Sequence, residues 1–284
     1  MSRVLVSETL SKAGLDLLRS RGHEVNVHLD LSAQELRSMI TDADALIVRS
    51  ATVVDEQLLE AAPQLQVVGR AGVGLDNVDT AAATSRGILV CNAPESNVVS
   101  AAEHAVGLLL ALARNLPQAH AALIDGRWER GLWTGTELLH KTVGIVGLGR
   151  VGRLVAQRLD GFDVRLLAYD PFVTADSARS VNVEMVELDE LLSHSDFVTV
   201  HLPKNAQTIG LFDAETFAKF KPGARLVNAA RGGVVVETDL EAAQKKGQIA
   251  GAAMDVYDTE PKSKSQLIGR PEVVETTQLG ASTN

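Results

Sequence analysis

Short apolar runs separated by polar stretches of helical length recur along the whole chain. In the first part Val4–Val6, Val25–Leu29, Ala45–Val48, Leu65–Gly69 and Ile88–Cys91 predict strands, because each is short, apolar and rich in β-branched residues. The second part repeats the scheme with Thr142–Val146, Val164–Tyr169, Phe197–His201, Ala224–Asn228, Ile249–Asp255 and Val273–Thr277. Two intervening amphipathic stretches have readable starts: Ser32 with Glu35, and Ser100 with Glu103, show the Ser-x-x-Glu spacing of a capping box. A long Ala/Leu helix is expected from Ala101 to about Leu123, joining the two parts. Strands joined by helix-length connections pair in parallel through right-handed crossovers. The expected fold class is therefore α/β, with two doubly wound parallel-sheet domains at 1–99 and 100–284.

Composition narrows this picture. With 284 residues the chain suits two domains, and 45% apolar but only 4% aromatic residues imply cores of Ala, Val, Leu and Ile. The formal charge of −9, with no basic stripe, argues against nucleic acid or an anionic membrane as a partner. No apolar run approaches the ~18 residues needed to span a bilayer, and the N-terminus shows no signal-peptide pattern, so a cytoplasmic protein is expected. The single Cys91 excludes an intramolecular disulfide framework, and its place in an apolar run predicts a small buried residue. No metal site is expected. Lys262-Ser263-Lys264-Ser265 predicts a solvated loop.

Candidate chemistry begins at Gly147-Leu148-Gly149-Arg150-Val151-Gly152, which follows a predicted strand and precedes the helix-like Arg153–Leu159. That context makes a G-x-G-x-x-G run a dinucleotide fingerprint. Gly147 permits the tight turn, Gly149 removes a Cβ where a pyrophosphate approaches, and Gly152 lets helix pack on strand. The N–H groups at the helix start, around Arg150 and Val151, then face the phosphates. Asp170 ends the next strand, where a carboxylate can bind the ribose hydroxyls and repel a 2′-phosphate, so NAD is expected rather than NADP. Arg231 follows the strand ending at Asn228-Ala229-Ala230, at the sheet edge where ligands sit. A guanidinium there can grip the carboxylate of a 2-hydroxy or 2-oxo acid by two parallel hydrogen bonds.

Several segments together resemble a known family. Val48-Arg49-Ser50-Ala51-Thr52, the run Gly69 to Asp79, the G-x-G-x-x-G run, Asn228 to Gly233, Asp255-Val256-Tyr257-Asp258-Thr259-Glu260-Pro261 and Leu279 to Thr283 occur in the order of the D-isomer-specific 2-hydroxyacid dehydrogenases. Within these the chain is most similar to the D-3-phosphoglycerate dehydrogenase family. The resemblance implies a flavodoxin-like substrate domain followed by a Rossmann NAD-binding domain. It also implies NAD-dependent hydride transfer with a small anionic 2-hydroxy acid, 3-phosphoglycerate above all, as in serine biosynthesis, by a homodimer or homotetramer. Arg231 and Glu260 match catalytic positions. His201, Pro203, Asn228, Ala229 and Asp255 match cofactor-side positions. Arg49, Ser50, Arg70, Gly72, Val73, Gly74 and Asn97 match substrate-side positions, the two arginines suiting a phosphate or carboxylate and the glycine segment offering an anion nest. Arg130 lies in a segment that forms the dimer contact in the family.

Two departures stand out. Gln278 occupies the position where the family carries its catalytic His, and a Gln side chain hydrogen-bonds but does not titrate near neutral pH. Losing general acid–base help costs ~10²–10⁴-fold in rate. Glu95 stands where the family has Thr or a small residue, and its charge opposes an anionic substrate. The remaining histidines offer no obvious substitute, and His104 is expected to be a packed or supporting residue in the joining helix. The chain also stops at Asn284, before the helix that in the family returns to the first domain, so an uncovered apolar face is expected there. Two readings follow: an NAD-dependent dehydrogenase, or a catalytically silent NAD(H)-binding sensor or interaction module.

Overall fold

The computed structural model describes residues 1–260 and 264–283, and within these the chain divides into two units, Met1–Asn97 and Val98–Asn284. In the first unit the strands are β1 (Arg3–Val6), β2 (Glu24–Val27), β3 (Ala45–Val48), β4 (Val67–Arg70) and β5 (Leu89–Asn92), paired in parallel in the order β2-β1-β3-β4-β5. One face of this sheet buries Leu5, Leu46, Val48 and Val68 against the helices Ala33–Met39, Glu56–Glu60 and Thr80–Ser85. The first of these helices opens on the capping box expected at Ser32 and Glu35.

The edge strand β5 is different. Leu89 is 62% exposed, and Cys91 is exposed rather than buried. An apolar run signals a strand, but whether both its faces are covered depends on what packs beside it. At an edge strand the run overstates burial.

The second unit contains β6 (Thr142–Val146), β7 (Arg165–Tyr169), β8 (Glu184–Met185), β9 (Phe197–Val200), β10 (Ala224–Asn228), β11 (Ile249–Met254) and β12 (Val273–Glu275). They form a parallel sheet in the order β12-β11-β10-β9-β6-β7-β8. The two-residue β8 is too short to leave a pattern in the sequence. The central strands are buried on both faces, which is why they read as continuous apolar runs. Val143 and Ile145 enter one core with Leu109, Val155 and Leu159; Val146 enters the other with Val198, Phe212 and Phe217. Among the described residues no helix is long and apolar enough to cross a membrane.

The long helix expected from Ala101 to Leu123 is two helices, Val98–Arg114 and Leu116–Ile124. Asn115 between them takes left-handed backbone angles, φ 51°. Pro117 explains the break: it lacks an N–H, and its ring would collide with the carbonyl four residues back, at Ala113. That carbonyl instead accepts from the Thr136 N–H at 2.8 Å. The helix also begins at Val98, so Ser100 lies inside its first turn and is not the cap that its spacing with Glu103 suggested. Of the polar patch at 262–265, Lys264 is exposed; Lys262 and Ser263 lie outside the described residues.

Candidate functional site

A parallel sheet delivers the C-terminal ends of all its strands to one edge, so loops far apart in sequence converge there. In the second unit these are the loops after β6, β7, β9, β10, β11 and β12. The loop after β6 carries the three glycines. Gly147 adopts φ 96°, and a Cβ on it would stand 2.7 Å from the His201 carbonyl oxygen. A Cβ on Gly152 would meet the Gly147 carbonyl oxygen at 2.1 Å, so helix and turn touch backbone to backbone. A Cβ on Gly149 would meet nothing within 4 Å: the space in front of this residue is open. The helix spans Arg150–Leu159, three residues more than the sequence suggested, and Gly149 caps it without any side-chain acceptor. The helix thus begins with no capping side chain and beside open space, an arrangement suited to a diphosphate.

Asp170 follows β7. Its carboxylate accepts from the Leu148 N–H and the Phe172 N–H, both at 2.9 Å, and so ties the glycine loop to the next one. Across the sheet, His201 follows β9; its Nε2 lies 3.0 Å from Thr199 Oγ1, and burial pushes its pKa down to about 4. The ring is therefore neutral near pH 7 and suits a packing role beside the glycine turn better than proton transfer. Pro203 is exposed, and its carbonyl accepts from Thr208 Oγ1 at 2.6 Å.

The loop after β10 is built on Asn228, which is fully buried. Its Oδ1 accepts from the Ala230 N–H at 3.1 Å, its Nδ2 donates to the Arg231 carbonyl at 3.2 Å, and its own carbonyl accepts from the Asp255 N–H at 3.0 Å. Ala229 and Arg231 are half-buried, and Arg231 Nη1 donates to the Ala230 carbonyl at 2.7 Å. Gly232 then packs against the next loop so closely that a Cβ would sit 1.7 Å from the Tyr257 carbonyl oxygen. This close approach brings Arg231 electrostatically within range of Glu260, whose carboxylate accepts from the Tyr257 N–H at 2.8 Å. Partial burial raises the Glu260 pKa above its ordinary value and the charge of Asp255 adds to this, while the Tyr257 N–H, Arg231 and Lys204 pull the other way. Lys204 carried no role in the sequence reading; only the fold places it beside Gly233 and Glu260.

Asp255, 1% exposed, spends its carboxylate on the protein itself. Oδ1 accepts from Thr276 Oγ1 at 2.6 Å and the Leu279 N–H at 2.7 Å, and Oδ2 from the Gly280 N–H at 3.0 Å. His104 Nε2 approaches Oδ1 at 3.1 Å. Gln278 sits in the turn so formed, exposed, at φ 58°, with its N–H donated to the Asp255 carbonyl at 2.8 Å. Arg231, Glu260 and Gln278 thus stand on loops after three neighbouring strands.

In the first unit Arg49 and Ser50 are exposed on the loop after β3. The sequence reading assigned no role to Glu8, yet its carboxylate shapes this loop by accepting from the N–H groups of Arg49 at 2.7 Å, Thr52 at 3.0 Å and Ala51 at 3.1 Å. Burial alone would raise the Glu8 pKa; those hydrogen bonds outweigh it and hold the carboxyl below its ordinary value. Asn77 Nδ2 closes the loop by donating to the carbonyls of Arg49 and Thr52. Arg70, at the end of β4, folds over Gly72: a Cβ there would fall 1.7 Å from its Nη1. The Gly72 N–H donates to the Arg70 carbonyl at 2.8 Å, so the nest expected at Gly72, Val73 and Gly74 draws on at most the other two. Asn97 is half-buried and closes this unit.

Comparison with known proteins shows the family. Residues 106–280 match the family model described as D-isomer specific 2-hydroxyacid dehydrogenase, NAD binding domain. D-3-phosphoglycerate dehydrogenase of Mycobacterium tuberculosis (strain ATCC 25618 / H37Rv) is 53% identical over 249 residues, covering 88% of this chain and 47% of the relative. The protein of that name from Archaeoglobus fulgidus is 47% identical over 282 residues, covering 99% and 54%. The chain thus spans about half the length of the curated relatives it matches. Among solved structures, the NAD-dependent formate dehydrogenase of Staphylococcus aureus in complex with NAD has a TM-score of 0.88 at 34% identity, covering 100% of this chain and 90% of that one. A protein of Thermus thermophilus has a TM-score of 0.91 at 34% identity, covering 99% and 90%. With more than half of its length matched by the family model, the chain belongs to the D-isomer specific 2-hydroxyacid dehydrogenases, and its second unit contains their NAD-binding domain.

Proposed function

We propose that the protein carries out NAD-dependent oxidation of a D-2-hydroxy acid, 3-phosphoglycerate above others. The observation that supports this most is the glycine turn with a helix start that no side chain caps, Asp170 on the next loop, and Arg231 and Glu260 converging at the same sheet edge. The N–H groups of the helix that Arg150, Val151 and Gly152 begin would hold the diphosphate of NAD, and Asp170 would hydrogen-bond its ribose. When bound, NAD supplies the hydride acceptor. His201, Pro203 and Ala229 line the nicotinamide side, buried Asn228 holds the loop that carries Ala229, and Asp255 acts there by holding the 276–280 turn. Arg231 takes the substrate carboxylate in a bidentate grip and favours negative charge on the neighbouring oxygen. Glu260 sustains the local charge balance with Arg231, and Gln278, which does not titrate, orients the reacting oxygen by hydrogen bonds while the hydroxyl proton leaves to solvent water, which reaches this exposed turn. In the first unit we assign anion recognition to Arg49, Ser50, Arg70, the Val73-Gly74 amides and Asn97. The working form is a homo-oligomer, since Trp128 is 83% exposed and Leu132 70% in one segment.

Gln278 specifically favours a second reading, an NAD(H)-binding module that senses cofactor without turnover. One experiment separates them: follow NADH absorbance with 3-phosphoglycerate and other D-2-hydroxy acids at high protein concentration while measuring NADH affinity by calorimetry. Turnover above buffer supports the dehydrogenase; binding without turnover supports the module; absence of binding overturns both.

A further inference from the structure

The helix Val98–Arg114 does more than cover the second unit's sheet. From its second turn His104 reaches the loops after β11 and β12, placing Nε2 3.1 Å from Asp255 Oδ1 and 3.3 Å from Thr276 Oγ1. The Asp255 carboxylate is buried and accepts from Thr276, Leu279 and Gly280. Since it accepts only, the imidazole must present Nε2–H to it, which fixes the tautomer or requires the doubly protonated ring. A buried carboxylate binds its donors as charge-assisted hydrogen bonds, so each donor contributes to holding the turn. Gln278, between two residues tied to that carboxylate, has its own N–H bonded to the Asp255 carbonyl and a left-handed backbone that a non-glycine residue holds only under tertiary constraint.

We infer that His104 is a positioning residue, holding through Asp255 and Thr276 the 276–280 turn that sets the nicotinamide end of the cofactor site. This rests on the NAD-binding reading above. The link predicts an effect at one end of the cofactor: the adenosine half leans on Gly149 and Asp170, while the turn serves the other half.

The test measures NADH and ADP-ribose affinity by calorimetry, and hydrogen exchange of residues 276–283, in wild type, His104→Ala and His104→Gln. In His104→Ala, NADH affinity should fall about tenfold or more, the scale of one lost hydrogen bond to a charged group, with ADP-ribose affinity unchanged. Exchange at 276–283 should rise while that at 142–159 stays constant. His104→Gln retains an N–H donor and should restore both. Equal loss of both ligands, exchange rising throughout, or no change at all overturns the inference. If His104→Ala does not fold, Thr276→Val cuts the other tether and must show the same NADH-selective loss. A wild-type protein that binds neither ligand instead overturns the NAD-binding reading.

Discussion

The turn around Gln278 is clamped from both sides by Asp255. A His introduced there would therefore land on a prepared turn. Gln278→His should raise the steady-state rate with 3-phosphoglycerate by about 10²–10⁴-fold; an unchanged rate would place the defect elsewhere, Glu95 first. Gly232 supports the opposite experiment. Its Cβ would collide with the Tyr257 carbonyl oxygen, so Gly232→Ala must drive the Arg231 and Glu260 loops apart. Substrate binding should be lost while ADP-ribose binding persists, as calorimetry with each would show. Glu260 has a sign that can be checked. Its pKa is raised in the folded state, so its contribution to stability is full below the ordinary glutamate value and is lost as pH rises through the folded one. Glu260→Gln should accordingly raise the melting temperature at pH 7, with the gain shrinking as pH falls toward 4. A residue that costs stability at neutral pH is what a site, rather than a core, retains.

Among elements, the paired helices Val98–Arg114 and Leu116–Ile124 show where periodicity misleads. Both halves carry the same Ala/Leu pattern, and only Pro117 marks the break. The Asn115 backbone angle belongs to the left-handed region, which glycine and asparagine tolerate and β-branched residues do not. Asn115→Val should destabilise by about 1–2 kcal/mol in denaturant unfolding, and Asn115→Gly should be nearly neutral. Strand positions were legible because these strands are short, apolar and β-branched, with Thr142–Val146 and Ala224–Asn228 matching residue for residue. Loop roles were legible only in part. Arg231 announced itself by following a strand, whereas Glu8 and His104 act by reaching segments about 41 and 151 residues away, and no local pattern encodes such a reach.

For the whole molecule, the acidic balance and the NAD-binding unit lead to a thermal test. If NADH binds the folded second unit and not the unfolded chain, NADH at a hundred times its dissociation constant should add about 2.7 kcal/mol to the stability of that unit, with NADP giving far less at equal concentration. Equal shifts from both would refute the role given to Asp170. The sequence by itself determined the alternation of strand and helix and the glycine turn, because each follows from hydrophobic period or backbone sterics within a few residues. Only the tertiary structure decided that Cys91 lies on an open edge, that Gly232 is wedged against Tyr257, and that Asp255 serves the turn around Gln278. Those outcomes depend on which strands become neighbours, and neighbours in a sheet are chosen by the packing of the entire unit.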